Sequence, residues 1–149
     1  AVPGVVLAVQ TADCVPIVLI GDGVIGIAHA GWRGIVEGVL AATVERMRQL
    51  GADNLLATIG ACIRPSHYEF GLDDLDAVVA VTSDAVRSVS DAGNPALDMA
   101  AATRVALQKV GVERINDLGH NTADERFHSH RTRGDTGRQV SVVRLETNR

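Results

Sequence analysis

The sequence predicts an α+β fold with mixed sheets, and three observations lead to that prediction. The chain has 149 residues, of which 46% are hydrophobic, so it is long enough to bury a core. The first 30 residues contain short runs rich in β-branched residues, which are typical of strands. After residue 34 the apolar spacing changes to three- and four-residue steps, which indicates helices among the later strands. We treat residues 1–149 as one domain.

Three strands are predicted near the start of the chain, at residues 5–9, 15–20 and 24–28. These runs are almost continuously apolar, so we expect both faces of the strands to be covered. Gly21–Asp22–Gly23 joins the second and third strands as a tight turn. The segment also matches the dinucleotide pattern G-x-G-x-x-G, but that pattern needs a helix opening at its last glycine. Because Gly26 lies inside a strand-like run, we interpret the match as a hairpin turn.

The later elements follow from apolar periodicity and from residues that begin or end helices. Apolar side chains recur on one helical face over residues 35–50, and Gly51 is a suitable terminator. Asp98 can cap a helix over residues 99–110, which Gly111 can end. The remaining predicted elements are a strand at 55–59, one or two helical pieces within 73–87, a short strand at 114–118 and a final strand at 139–145.

Composition disfavours several classes of function. The formal net charge of −4 argues against a protein that binds nucleic acid through a basic surface. No apolar run reaches the ~20 residues of a membrane helix, so we expect no membrane partner. The two cysteines, Cys14 and Cys62, are predicted to be reduced thiols rather than a disulfide, and Cys62 is expected to be a thiol of the core. With no visible signal peptide, this cysteine usage suggests a cytoplasmic protein.

The strongest candidate site lies where the first three predicted strands end. Thr11–Ala12–Asp13–Cys14 is a polar segment between two apolar strands, and His29 ends the third strand. If the second and third strands pair through the glycine turn, Cys14 lies opposite His29, about 5 Å away between Cβ atoms. Such a pair can be a nucleophile with its base, or two ligands of a zinc ion. It can also be a buried structural cysteine beside a hydrogen-bonded histidine.

Basic residues occur in two places that are able to bind an anion. Arg33 lies in a turn between Gly31 and Gly34, just before a predicted helix, so its guanidinium and the helix N-terminus can form an anion pocket. It can equally be a solvated surface charge. Segment 126–138 has four arginines and two histidines against one aspartate, and it can bind phosphate or remain a solvated basic loop. His128 and His130 are two residues apart, so in a strand they would share one face and could bind a metal.

Four blocks of the sequence resemble the signature blocks of the laccase-domain family, also called YfiH-like, multicopper polyphenol oxidase or purine nucleoside phosphorylase. They read TADCVPIVL, AHAGWRG, IGACIRPSHYEFG and RFHSHRTRGDTGRQ, in the family's order. The resemblance implies a four-layer α/β/β/α arrangement. The chain resembles only the C-terminal three-fifths of the family's domain. The resemblance therefore implies that the N-terminal part of the domain is missing from this sequence.

The resemblance also implies the chemistry. Members of the family bind zinc through two histidines and a cysteine, and two of these ligands match Cys14 and His29. The other histidine lies in an upstream block resembling Gln-Val-His-Gly, which this sequence does not contain. Members act on adenosine, inosine, guanosine and methylthioadenosine by phosphorolysis, and deaminate adenosine. Catalytic roles then fall to Cys14, His29 and Asp13, and contacts to the purine nucleoside and phosphate fall to Arg33 and Arg131.

Three alternatives stay open. A metal-free cysteine hydrolase or deamidase would use Cys14 as nucleophile and His29 as base, as in the related catalytic domain of cytotoxic necrotizing factor toxins. A copper polyphenol oxidase, or laccase, is less expected, because Asn121–Thr122 stands where many relatives have Cys-Thr. A domain lacking one metal ligand can also bind a nucleoside without turnover. The sequence does not fix the preferred nucleoside or the oligomeric state.

Overall fold

The computed structural model describes residues 4–146, and no helix in that range is long and apolar enough to cross a bilayer. Its strands are β1 (Val6–Thr11), β2 (Val15–Gly21), β3 (Val24–Ala30), β4 (Leu56–Ile59), β5 (Arg87–Val89), β6 (Pro95–Leu97), β7 (Arg114–Asp117) and β8 (Gln139–Arg144). Its helices are α1 (Trp32–Val36), α2 (Val39–Gln49), α3 (Leu72–Val81), α4 (Met99–Lys109) and α5 (His130–Arg133), with 3₁₀ turns at Pro65–His67 and Asp84–Val86.

The central sheet is mixed. Its strands lie in the order β3-β2-β4-β7, with β2 antiparallel to β3 and β4, and β4 parallel to β7. Helices α2 and α4 pack against one face of this sheet, where Ile17, Leu19 and Ile59 are fully buried. The helix and the sheet approach so closely that a Cβ on Gly26 would lie 2.6 Å from Sδ of Met47. The predicted α+β class with mixed sheets is confirmed.

A two-stranded ribbon joins the two ends of the described chain. β1 and β8 pair antiparallel, with Val6 opposite Arg144 and Thr11 opposite Gln139. The ribbon packs beside β3, and the side chains along it alternate between partly buried and exposed positions. This pairing brings the segment after Thr11 close to the segment before Gln139.

The hairpin interpretation of the glycine motif is confirmed, but the predicted register is wrong. Asp22 and Gly23 have φ values of 45° and 79°, which are the left-handed values of a two-residue type I′ turn. We expected a three-residue turn. The shorter turn shifts the pairing, so that His29 lies opposite Pro16 and not opposite Cys14.

The predicted helix over residues 35–50 is two helices. Gly38 has a φ of 84°, a left-handed value that interrupts the helix between α1 and α2. The end at Gly51 is confirmed, since that residue has a φ of 90°. The Asp98 cap is also confirmed, because its Oδ1 accepts a hydrogen bond of 2.9 Å from the N–H of Ala101. The short β5–β6 hairpin was not predicted, because three-residue strands carry little periodicity.

Gly21→Ala is expected to lower the free energy of unfolding by about 1–3 kcal/mol, because overpacking a closed contact forces backbone shifts. A Cβ on Gly21 would lie 2.6 Å from both the carbonyl oxygen of Asp53 and Cδ2 of Leu55. Urea denaturation measures the change. The matched control is Gly34→Ala within α1, where the new Cβ has an ordinary 3.4 Å contact and the helix gains up to about 1 kcal/mol. Equal effects of the two substitutions would contradict this packing.

Candidate functional site

Asp13 is the buried centre of the candidate site. Asp13 is only 7% exposed, and its backbone adopts a left-handed φ of 93°. One carboxylate oxygen accepts a 2.6 Å hydrogen bond from the hydroxyl of Thr122, and the other accepts one of 2.7 Å from the backbone N–H of Arg131. The backbone carbonyl of Asp13 accepts a further hydrogen bond from Ile63. Asp13 therefore connects its own segment to three segments that are distant in the sequence.

The thiol of Cys14 lies on the same side of the central sheet as His29. Residues 29 and 31 are two apart along an extended backbone, so a side chain on Gly31 would point to the same side as that of His29. The Sγ atom of Cys14 is only 3.1 Å from where that Cβ would lie. The two residues are thus diagonal neighbours, with His29 exposed and Cys14 partly buried. Their action as a nucleophile with its base, or as two zinc ligands, remains a prediction.

The surroundings of Cys14 keep its thiol protonated in the absence of a cation. Burial raises the pKa of the Cys14 thiol above its ordinary value, and the negative charge of Asp13 raises that pKa further. The guanidinium of Arg138 opposes this shift and lowers the pKa. The thiolate is the form that attacks carbon or binds a metal, and both burial and the charge of Asp13 disfavour that form of Cys14.

The donor atoms available here match zinc only in part. A thiolate and an imidazole are ligands that zinc prefers, but a catalytic zinc ion normally has three protein ligands. Within residues 4–146 no group of three or more His, Cys, Asp or Glu side chains lies close enough together to hold a metal ion. The described residues therefore do not complete a zinc site by themselves.

Both arginines predicted to bind phosphate lie against aromatic rings. The guanidinium of Arg33 is 4.3 Å from the ring centroid of Trp32, and that of Arg131 is 4.5 Å from the ring centroid of Tyr68. Phe70 connects the two rings, with centroid distances of 5.4 Å to Trp32 and 5.2 Å to Tyr68. Stacking restricts the rotamers of both arginines while their N–H groups stay at the surface.

Tyr68 is a site residue that sequence reasoning missed. Burial raises the pKa of its hydroxyl, and the charges that alter this pKa further belong to Arg131, Cys14, Asp13 and Arg33. Tyr68 therefore lies among the predicted site residues, with a hydroxyl that keeps its proton. Its only sequence indication was its position in the loop after a strand.

The arginines of segment 126–138 divide into two pairs. Arg126 forms an ion pair with Asp124, and Arg133 donates hydrogen bonds to the backbone carbonyls of Ala123 and Phe127. Arg131 and Arg138 instead lie on the side of Asp13 and Cys14. Arg138 also donates hydrogen bonds to the carbonyls of Asp135 and Gly137, so three of the four arginines make bonds within their own loop.

Two secondary expectations have different outcomes. Segment 128–130 is not a strand, because His130 begins α5 after the Ser129 cap, so His128 and His130 do not share a strand face as expected. Cys62 is a core thiol as predicted, since it is fully buried and burial raises its pKa to about 12. Both cysteines are free, as expected.

Comparison with known proteins reveals close relatives. Residues 1–146 match the family model described as multi-copper polyphenol oxidoreductase laccase. The chain is 38% identical to a purine nucleoside phosphorylase of Deinococcus radiodurans, over 97% of this chain and 59% of that protein. It is 37% identical to purine nucleoside phosphorylase YfiH of Escherichia coli, over 96% of this chain and 60% of that protein.

Solved structures show the same fold. YlmD of Geobacillus stearothermophilus is 32% identical, with a TM-score of 0.85 over 97% of this chain and 58% of that one. A Neisseria meningitidis protein is 31% identical, with a TM-score of 0.83 over 95% of this chain and 61% of that one. The chain therefore spans about three-fifths of the length of the relatives that it matches.

Thr122→Val is expected to lower the free energy of unfolding by about 1–3 kcal/mol, because it leaves one oxygen of the buried Asp13 carboxylate without its donor. Thermal and urea denaturation measure the loss. The matched control is Thr136→Val, where the residue is exposed and the expected change is within about 0.5 kcal/mol. A Thr122→Val variant as stable as its control would show that the 2.6 Å bond contributes little.

Proposed function

The chain belongs to the multi-copper polyphenol oxidoreductase laccase family, and from that premise we propose that it acts as a purine nucleoside phosphorylase. The observation that carries the proposal is the double anchoring of Arg131. Its backbone N–H is bonded to Asp13, beside Cys14, while its guanidinium lies on Tyr68. An arginine fixed in this way next to a metal-binding type of side chain is suited to hold phosphate close to a reacting sugar.

Phosphorolysis of inosine requires the protein mainly to bind and orient phosphate and the nucleoside. A phosphate oxygen forms a bond to C1′ of the ribose as the bond from C1′ to the purine nitrogen breaks, and the purine keeps the electron pair and takes up a proton from solvent. Arg33 and Arg131 would hold and orient the phosphate. Asp13 would act as a positioning residue through Arg131. The Tyr68 hydroxyl, which keeps its proton, would donate a hydrogen bond to the substrate.

We propose zinc rather than copper as the metal of this site. Cys14 and His29 supply a thiolate and an imidazole, and Asn121 occupies the position of the second thiol expected for a copper cluster. Zinc, when bound, supplies a Lewis acid that stabilises negative charge. Cys14 and His29 leave its coordination incomplete, so the 149-residue chain is proposed to bind zinc weakly. Adenosine, guanosine and methylthioadenosine are proposed as further substrates, and adenosine deamination as a further activity.

The same observations bear on two other functions, a metal-free cysteine hydrolase and a nucleoside-binding module. The raised pKa of Cys14 disfavours a metal-free cysteine hydrolase, because that enzyme needs a thiolate without help from a cation. The incomplete set of metal donors favours a nucleoside-binding module without turnover as the second candidate. The two free thiols fit a reducing compartment, and we propose a cytoplasmic location on that basis.

Cys14→Ala and His29→Gln are each expected to lower inosine phosphorolysis and zinc affinity about 10- to 100-fold or more, because each removes a proposed ligand. Hypoxanthine release measures the activity, and mass spectrometry after dialysis against zinc measures the metal. Cys62→Ala is the matched control, since it removes the other thiol of the chain, and its activity per folded molecule should stay unchanged. Retained activity in Cys14→Ala would overturn the assignment of the site.

Metal content should depend on chain length. We expect the 149-residue chain to contain substoichiometric zinc and to turn inosine over poorly. A chain extended at its N-terminus with the corresponding segment of a relative should regain zinc and activity together, because one ion would serve both. Stoichiometric zinc and full activity in the 149-residue chain would show that another group, such as His67 or His128, completes the site.

A further inference from the structure

An open cavity of about 400 Å³ lies beside Arg131. Six residues line it: Ser66, His67, Glu69, Asp91, Ala92 and Arg131. Arg131 belongs to this cavity through its side chain and to the Asp13 site through its backbone. The cavity is therefore adjacent to the proposed phosphate position, yet none of its other residues has a role in the site described above.

The two acidic residues of the cavity, Glu69 and Asp91, are held by hydrogen bonds to other residues. Oε1 of Glu69 accepts one of 2.9 Å from the amide of Asn94 and one of 3.0 Å from the hydroxyl of Ser90. The backbone N–H of Asp91 donates to the carbonyl of Ser66, at 3.0 Å, which holds the 90–94 turn against the opposite wall. The Glu69 side chain and the Asp91 backbone are thus both held in place at the cavity before any ligand binds.

Nδ1 of His67 is engaged by neighbouring side chains. The Oδ1 atom of Asn121 accepts hydrogen bonds from the backbone N–H groups of Arg64 and Ala123, so its amide nitrogen faces the other way. That nitrogen lies 3.3 Å from Nδ1 of His67, and the hydroxyl of Ser66 lies 2.8 Å from the same atom. Nε2 is therefore the ring nitrogen left to contact a ligand.

The guanidinium of Arg131 is a donor at the cavity, and it is also held in place. Its Nη1 donates a 2.9 Å hydrogen bond to the carbonyl of Glu69, and its plane lies on Tyr68. Because Arg131 covers that ring, the cavity has no open aromatic face on which a purine base would stack. The ligand that fits has hydroxyl groups for the carboxylates and an anionic group for the donors.

We propose that this cavity is the ribose-phosphate subsite of the enzyme. The carboxylates of Glu69 and Asp91 accept hydrogen bonds from the 2′ and 3′ hydroxyls of the pentose, and Arg131 and His67 donate to oxygens of the phosphate. The volume lies within the ~300–1,000 Å³ that small-molecule sites occupy. The inference rests on the proposed phosphorolysis, since ribose 1-phosphate is the product that carries both groups.

Isothermal titration of the 149-residue chain with ribose 1-phosphate, 2-deoxyribose 1-phosphate and inorganic phosphate tests the assignment. Ribose 1-phosphate should bind about tenfold more tightly than its 2-deoxy analogue, because a hydrogen bond to a charged carboxylate is lost with the hydroxyl. Glu69→Gln combined with Asp91→Asn should remove that preference and leave binding of inorganic phosphate equal or stronger. Asp73→Asn, on the exposed surface of α3, is the matched control and should keep the preference.

The outcomes separate this inference from the proposed function. Equal affinity for the ribo and deoxy compounds, or a preference that survives the double substitution, overturns the ribose-phosphate assignment even if inosine is turned over. A preference that disappears in the double variant supports the subsite even where purine release is not observed, and in that case the phosphorylase proposal alone fails. Circular dichroism of each variant confirms that the fold is kept.

Discussion

A buried negative charge is the constraint on which the site depends. A carboxylate that is withdrawn from water must be compensated by hydrogen bonds, and Asp13 obtains them from Thr122 and Arg131, which are 109 and 118 positions away in the chain. The loop segments around these residues have no strand pairing with one another. Backbone contacts bring the segments near one another, since Thr122 donates to the carbonyl of Cys62 and Ile63 donates to the carbonyl of Asp13. The Asp13 carboxylate then joins them directly through its two hydrogen bonds, from a backbone with a left-handed φ of 93°.

The same constraint arranges the electrostatics of the site. Burial raises the pKa of the Cys14 thiol, and the charge of the neighbouring Asp13 raises that pKa further. The backbone bond to Arg131 holds that residue so that its guanidinium reaches the ring of Tyr68 and the carbonyl of Glu69. One carboxylate thus links the place where a metal ion is proposed to the place where phosphate is proposed.

Local sequence rules predicted the parts of the fold that local forces decide. The Asp98 cap, the ends at Gly51 and Gly111 and the hairpin at the glycine motif depend on a few neighbouring residues, and each follows from the chain. The β2–β3 register was predicted wrongly, because the turn is one residue shorter than the expected three. The shorter turn places Pro16 opposite His29. Tyr68 and Thr122 were not recognisable, because their importance comes from partners brought near only by the tertiary fold. Cys14 and His29 were predicted from motif and spacing, and their role in the site stays a prediction.

The ribbon of β1 and β8 has a consequence for the order of folding. It pairs Thr11 with Gln139, so the two segments that flank the candidate site meet only after nearly the whole chain has been closed into one loop. The entropy of closing a loop grows slowly, by about 0.6 kcal/mol for each doubling of its length, but pairing over such a separation is slow to form. The α2 and α4 helices and the β2–β3 hairpin are local and need no such closure. We therefore expect the candidate site to form late in folding, because its flanking segments are joined only across almost the entire polypeptide.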